Sequence, residues 1–364
     1  MRFEKGFTLI ELMVSVGVGA IVVTGLSMLA AGSSRAFHEE HRISEAQLEV
    51  RFAVERLRAD LQRAGYLGTP NSATDQNVDP KPPTPLVAVD LEDGVGDQWL
   101  PGKNTTADPD RIVLLGAFRD SEVYLTESIV GTDVVIDDQT ESARKWANPP
   151  RQEVFEQIFA PDTFLRIENP AGFSQIIAID SADFGARRIR LQAAVVQAVG
   201  EQAQGVMLLG RGHRVNVLSF VDYQVMQSPV GSLLARDETD GRKLDLVRRE
   251  LLSDGVTAIA CSERVVAEYV VDFDVSFLQD TAIAPNPPNL VLLDSPTSAA
   301  IANPQSIRGI RFRLSTRTRE EDAGYPWIAP AGGPLFRYKL DDITPNAARV
   351  RTIETEFVVP GLGR

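Results

Sequence analysis

The chain has 364 residues, 43% of them hydrophobic, and a formal net charge of −13. That hydrophobic share supports a sizeable core and excludes a disordered chain, while the acidity argues against nucleic acid, which needs clustered Lys and Arg. One cysteine, Cys261, excludes an intramolecular disulfide, so the fold must rest on its core alone.

Met1 to Lys5 form a short polar leader carrying Arg2, Glu4 and Lys5, and Gly6 ends it. An apolar run follows to residue 34. Glu11 interrupts it near its start, and residues 12–34 hold no charge. A helix rising about 1.5 Å per residue over about 23 positions spans a hydrocarbon core of about 30 Å. The run is therefore predicted to cross a membrane once. A charged side chain in such a segment costs at least about 2.5 kcal/mol at mid-bilayer, so Glu11 should have a purpose there. The leader's excess of one positive charge favours a cytoplasmic amino terminus. A cleaved secretory signal fits poorly, because the apolar run exceeds the roughly 7–15 residues of its hydrophobic part.

The run Gly6-Phe7-Thr8-Leu9-Ile10-Glu11 closely resembles the class III signal peptide of type IV pilins and pseudopilins. The resemblance implies cleavage between Gly6 and Phe7 by a prepilin peptidase and methylation of the new Phe7 amine. It also implies a role for Glu11 in subunit assembly, where it pairs with a neighbour's amino terminus. The Phe7 amine and the Glu11 carboxylate would lie about one helical turn apart. Pairing within one chain, or across two staggered chains, offsets the desolvation of isolated charges in lipid.

Beyond residue 34 the helix is predicted to continue to residue 64. Ile43, Ala46, Val50, Ala53, Val54, Leu57, Leu61 and Ala64 fall on one helical stripe, with charged residues between them. Gly65 suits the left-handed residue that ends a helix. Residues 69–110 are rich in Pro, Gly, Asn and Asp and read as loops, with a short strand near 86–90. Strands are then predicted at 111–118, 122–125, 129–136, 164–168, 174–180, 188–191 and 206–209. Five more follow at 213–225, 243–251, 265–277, 307–316 and 349–359. Residues 280–289 and 320–334 read as loops. The alternation of Val271-Asp272-Phe273-Asp274-Val275-Ser276-Phe277 marks a strand with one face buried, so a mainly antiparallel sheet. The expected fold is α+β: one long amino-terminal helix, transmembrane then amphipathic, packed on a large β domain. Its parts are a leader (1–6), a membrane half (7–34), an amphipathic half (35–64) and a periplasmic domain of one or two lobes (65–364).

Five stretches of the soluble part resemble PilW-type minor pilins, and more distantly the J-type pseudopilins of type II secretion. The first is Asp60-Leu61-Gln62-Arg63-Ala64-Gly65-Tyr66, and the second is Asp110-Arg111-Ile112-Val113-Leu114. Leu246-Val247-Arg248-Arg249-Glu250, Val271-Asp272-Phe273-Asp274-Val275 and Ile307-Arg308-Gly309-Ile310-Arg311-Phe312 follow. The resemblance implies a structural subunit of the complex that primes a type IVa pilus and helps present a tip adhesin. Its implied partners are other minor pilins, the major pilin, the adhesin, the prepilin peptidase, the inner-membrane assembly platform and the lipid bilayer. Its implied location is the inner membrane and then the pilus. J-type pseudopilins are usually shorter, which favours the pilus.

No enzyme, cofactor or metal is expected. His38 and His41 read as a solvated helix face, and no Gly-x-Ser-x-Gly occurs. The acidic run 90–97 fails the EF-hand pattern, because its twelfth position is Pro101. Cys261 is expected to be buried beside the apolar residues 256–260.

Overall fold

The computed structural model describes residues 9–96, 107–196, 211–227, 243–282, 287–293, 303–329, 335–340 and 343–362. The chain divides into two compact units between Glu49 and Val50. Helix α1, Leu9–Leu61, runs from the first into the second. The architecture is a long amino-terminal helix followed by a large, mainly antiparallel β domain, as the apolar run and the strand alternation predict.

In the second unit the strands come in chain order: β1 (Val89–Glu92), β2 (Arg111–Gly116), β3 (Tyr124–Val130) and β4 (Asp133–Ile136). Two short helices follow, α2 (Arg144–Ala147) and α3 (Gln152–Ile158). Then come β5 (Phe164–Glu168), β6 (Ser174–Asp183), β7 (Arg188–Leu191), β8 (Arg214–Gln227), β9 (Leu244–Leu251) and β10 (Arg264–Ala267). The last strands are β11 (Val270–Asp280), β12 (Leu290–Leu293), β13 (Ile307–Arg317), β14 (Asp322–Pro326), β15 (Arg337–Tyr338) and β16 (Asn346–Val358).

Strand β8 joins two structures. Its first half pairs with β3 and β5, and with β4, β7 and β6 these close a ring. Tyr124, Leu165, Ile167, Val215 and Val217 from the ring share one core cluster with Trp146 of α2 and Phe155 of α3. Its aromatic rings pack edge to face, Trp146 and Phe155 having centroids 4.9 Å apart. The second half of β8 pairs with β2 and β9, giving an open sheet β1-β2-β8-β9-β10.

The second sheet runs β12-β11-β13-β16-β14, with β15 also on β16. Its inner face supplies Phe273, Val275 and Phe277 from β11 and Ile310, Phe312 and Leu314 from β13. The outer face is a ladder of opposite charges. Arg311 meets Glu354 and Glu356 of β16, both at 3.3 Å, and Arg313 meets Asp272 at 3.4 Å and Asp274 at 2.5 Å. A bulge between Val270 and Asp272 puts Val271 in a separate cluster with Tyr338 and Val350.

Several predicted boundaries differ. α1 ends at Leu61, a few residues short of 64, because Ala64 leaves the helix to bridge Gly116. Gly65 takes the left-handed conformation, φ +70°. The predicted strand 129–136 is the end of β3 and all of β4, turned at Gly131 with φ +61°. The predicted strand 265–277 breaks at Tyr269, φ +53°, into β10 and β11. Residues 322–326 form β14 inside a predicted loop, and α2, α3, β12 and β15 carried no clear pattern. The strand predicted at 206–209 lies outside the described residues.

Candidate assembly segment and its anchorage

Gly6 and Phe7, the predicted cleavage and methylation positions, lie outside the described residues. Glu11 lies in the first described turn of α1 and is exposed. It is the sole ionisable residue in the 26-residue span Leu9–Ser34, which is long and apolar enough to cross a membrane. None of the window that qualifies the span is buried by the protein: Leu9 is 77% exposed, Ile21 74% and Leu29 72%. Water would penalise such a surface, and lipid would not.

Three hydroxyls within the span bond back to the helix itself. Ser15 Oγ donates to the Glu11 carbonyl at 2.7 Å, Thr24 Oγ1 to Ala20 at 2.8 Å and Ser27 Oγ to Val23 at 2.8 Å. Each hydroxyl is therefore satisfied one turn back along its own helix, so it needs no partner in the lipid.

Within the second unit the last turns of α1 are held by a buried stripe. Val50, Ala53, Leu57, Leu61 and Ala64 pack against Ile112, Leu114, Val221, Leu246, Phe312 and Leu314. Both sheets contribute to this cluster. Here one face of the helix belongs to a core, while Arg51, Phe52, Glu55, Arg56 and Arg58 on the other face stay exposed.

A polar pin fixes its rotation. Asp60 is 2% exposed. Its Oδ2 accepts hydrogen bonds from Tyr223 Oη of β8 at 2.7 Å and Arg248 Nε of β9 at 2.6 Å. Arg56 Nε lies 3.9 Å away. Burial, and then the Asp60 charge, push the Tyr223 hydroxyl up, so it stays a donor. Burial opposes the charge on Arg248, but Asp60 outweighs it and raises the guanidinium. A second pin lies on the neighbouring strands. Fully buried Asp222 accepts from Arg111 Nε at 2.9 Å and Arg249 Nε at 3.1 Å.

Just beyond α1 the backbones approach so closely that side chains do not fit. A Cβ at Gly116 would overlap the Arg63 carbonyl, and one at Gly361 the Ala64 carbonyl. The Gly65 N–H donates to Leu115 at 2.8 Å. The helix end is thus clamped between β2 and the chain's last described residues.

The Asp60 pin was only half legible. Asp60 reads as one of the charges flanking the stripe, yet its helical angle puts it beside Ala53, at the stripe's margin. Its partners are 163 and 188 residues away and have no local mark. The structure also corrects Cys261, which is exposed in a turn with φ +60° and not buried. His38 and His41 lie on α1. His213 is buried, and its N–H donates to Thr126 Oγ1 at 3.1 Å. Among the described residues no group of three or more His, Cys, Asp or Glu could hold a metal ion.

Residues 1–27 match the family model for the prokaryotic N-terminal methylation motif. The match supports a type IV pilin-like or pseudopilin-like protein that carries a class III signal peptide, an N-methylation motif and a membrane-anchoring helix. The chain matches no curated protein and no solved structure.

Proposed function

We propose that the chain is a minor pilin of the PilW type, a structural subunit of the complex that primes a type IVa pilus and presents a tip adhesin. The observation that carries this reading is the methylation motif at residues 1–27, with Glu11 as the sole ionisable residue of an otherwise apolar span. In this reading a prepilin peptidase cuts between Gly6 and Phe7, and the Phe7 amine is methylated. Glu11 pairs with the amine of a neighbouring subunit and neutralises it in the bilayer. The amino terminus faces the cytoplasm and the β domain the periplasm. The partners are other minor pilins, the major pilin, the adhesin and the assembly platform. The protein is not an enzyme and needs no cofactor. The Asp60–Arg248 pair lends support, because it joins two of the stretches that resemble PilW-type pilins.

Mass spectrometry of the membrane-extracted protein tests the processing, and the expected chain begins at methylated Phe7. Glu11→Ala should insert into the membrane as well as the wild type, because it removes a charge from an apolar segment, but enter pili poorly. An intact Met1, or a variant that piliates normally, would overturn the respective assignment. Co-purification with secretion-channel components in place of pilus subunits would move the protein to the J-type pseudopilins.

A further inference from the structure

The second sheet treats its two outer strands differently. β12 is 4 residues long and follows Pro287 and Pro288, the short, proline-guarded form in which proteins blunt a sheet edge. β16 is 13 residues long. Its pairing with β14 and β15 stops at Arg349, so among the described strands only β13 lies beside residues 351–358. The register with β13 runs unbroken from Val350 to Val358, with no bulge and no proline to turn the edge away.

Among the described residues no backbone hydrogen bond leaves 351–358 except to β13. In an antiparallel pair alternate residues bond inward, so about four residues of this stretch hold their N–H and C=O groups toward the unpaired side. Burial agrees. None of residues 351–358 is buried, while Ile310, Phe312, Leu314 and Ser315 across the ladder are.

The two faces of this edge set what an added strand would carry. Ile353 and Phe357 point to the inner side and are half-buried at the margin of the core that holds the helix stripe. Apolar side chains laid beside them would extend that core. Glu354 and Glu356 point to the outer side and are exposed. In the outer ladder two arginines, Arg311 and Arg313, serve Glu354, Glu356, Asp272 and Asp274, so carboxylates are in excess. Opposite charges facing each other across strands are favourable and like charges are not. A second copy pairing edge to edge would set Glu354 and Glu356 against their own counterparts, which disfavours self-pairing.

We propose that β16 from Arg351 to Val358 receives an added strand from a partner chain, an extended segment of alternating apolar and basic residues. Backbone bonds supply the affinity, and the alternation selects the partner. The apolar residues lie beside Ile353 and Phe357 and the basic ones beside Glu354 and Glu356. The site lies within the β domain and does not depend on the assembly reading.

The test uses the full chain in detergent and an octapeptide alternating Val and Lys. Its comparators are the same peptide with Glu for Lys, and the Val–Lys peptide with every backbone nitrogen methylated. Calorimetry gives the Kd, and hydrogen exchange locates the site. The Val–Lys peptide should bind and slow amide exchange within 351–358, and neither comparator should. Glu354→Gln with Glu356→Gln should raise the Kd about fivefold and keep the melting temperature, since both side chains are exposed. No binding at about 1 mM peptide overturns the proposal. Binding that leaves exchange at 351–358 unchanged, equal binding of either comparator, or an unchanged Kd in the double variant overturns it too. So does slowed exchange at 351–358 that appears without peptide as the protein is concentrated, which would put a second copy on the edge.

Discussion

The two halves of α1 share a backbone conformation and differ in everything around it. Residues 9–34 keep every described side chain exposed, and the hydroxyls of Ser15, Thr24 and Ser27 bond back to their own helix. Residues 50–61 bury one stripe in a core built from two sheets and add a charged pin at Asp60. The first half is complete by itself and wants an apolar solvent. The second is incomplete without its sheets, and they without it. A helix that is apolar all round and one that is apolar on a single stripe thus answer to different surroundings.

The sharpest way to break this comparison is to remove the second half. A fragment starting at Gly65 loses Val50, Leu57 and Leu61 from the core, at about 1.5–3 kcal/mol each. It also leaves Arg248 and Tyr223 facing an empty site. That approaches or exceeds the typical margin of about 5–15 kcal/mol, so the fragment should not fold. A fragment starting near Arg35 should be folded and rich in β structure. Circular dichroism and thermal melts of both decide it. Equal stability would make the helix a free stalk.

Asp60→Ala is the next largest change. It leaves the Arg248 charge buried without its partner, which costs about 3–5 kcal/mol. The double variant Asp60→Leu with Arg248→Leu should recover much of the loss, because it removes both charges together. Denaturant unfolding of the fragment starting near Arg35 measures both. Little loss in Asp60→Ala would mean that the stripe alone sets the helix.

These two predictions also mark what was legible beforehand. The membrane span and the stripe repeat a local period over many residues, so they stand out in the sequence. The strands with β-branched and aromatic alternation do too, Val271 to Phe277 among them. β14 does not, because Asp-Ala-Gly-Tyr-Pro carries no β-branched residue. It is held by pairing with β16 and by Arg349–Asp322 at 2.6 Å, which the sequence places 27 residues apart. The breaks at Gly131 and Tyr269 are single left-handed residues inside apolar runs, and periodicity averages over them. The ring closed by β8 depends on which strands meet and not on what any one strand contains. At the assembly segment, Gly6, Phe7 and Glu11 form an unbroken motif.

A pH series has a smaller expected effect and tests the packing where the β1–β2 connection meets β11. Asp110 accepts from Val275 N–H at 2.7 Å and Gly94 N–H at 3.1 Å. Burial raises its carboxyl from 3.8 to about 7, with Asp274 and Asp93 adding to the rise and the two N–H groups opposing it. Burial raises Asp272 to about 6, against the pull of Arg313. A raised carboxyl holds a proton in the folded chain that the unfolded chain has released. Its stabilisation is complete below about pH 4 and is lost as the pH climbs through 6 and 7. Stability should fall progressively between pH 4 and pH 8 from these groups. Asp110→Asn should flatten that fall. Melts at each pH check it, and a wild-type curve that rises with pH would reverse the assignment.

The smallest expected effect belongs to Cys261. A thiol in the core would make Cys261→Ser cost about 1–3 kcal/mol, because the hydroxyl would be buried unpaired. The exposed turn predicts a change within about 0.5 kcal/mol. Its left-handed backbone sharpens the test. Cys261→Gly relieves a conformation that costs a non-glycine residue about 1 kcal/mol, and loosens the unfolded chain by about as much. The two terms oppose, so this variant too should melt close to the wild type. Reductant should leave the melt unchanged, since no second cysteine exists to pair with. A thiol reagent should label the native protein at this residue. A protected thiol together with a destabilised serine variant would return Cys261 to the core and put the turn at 261 in question.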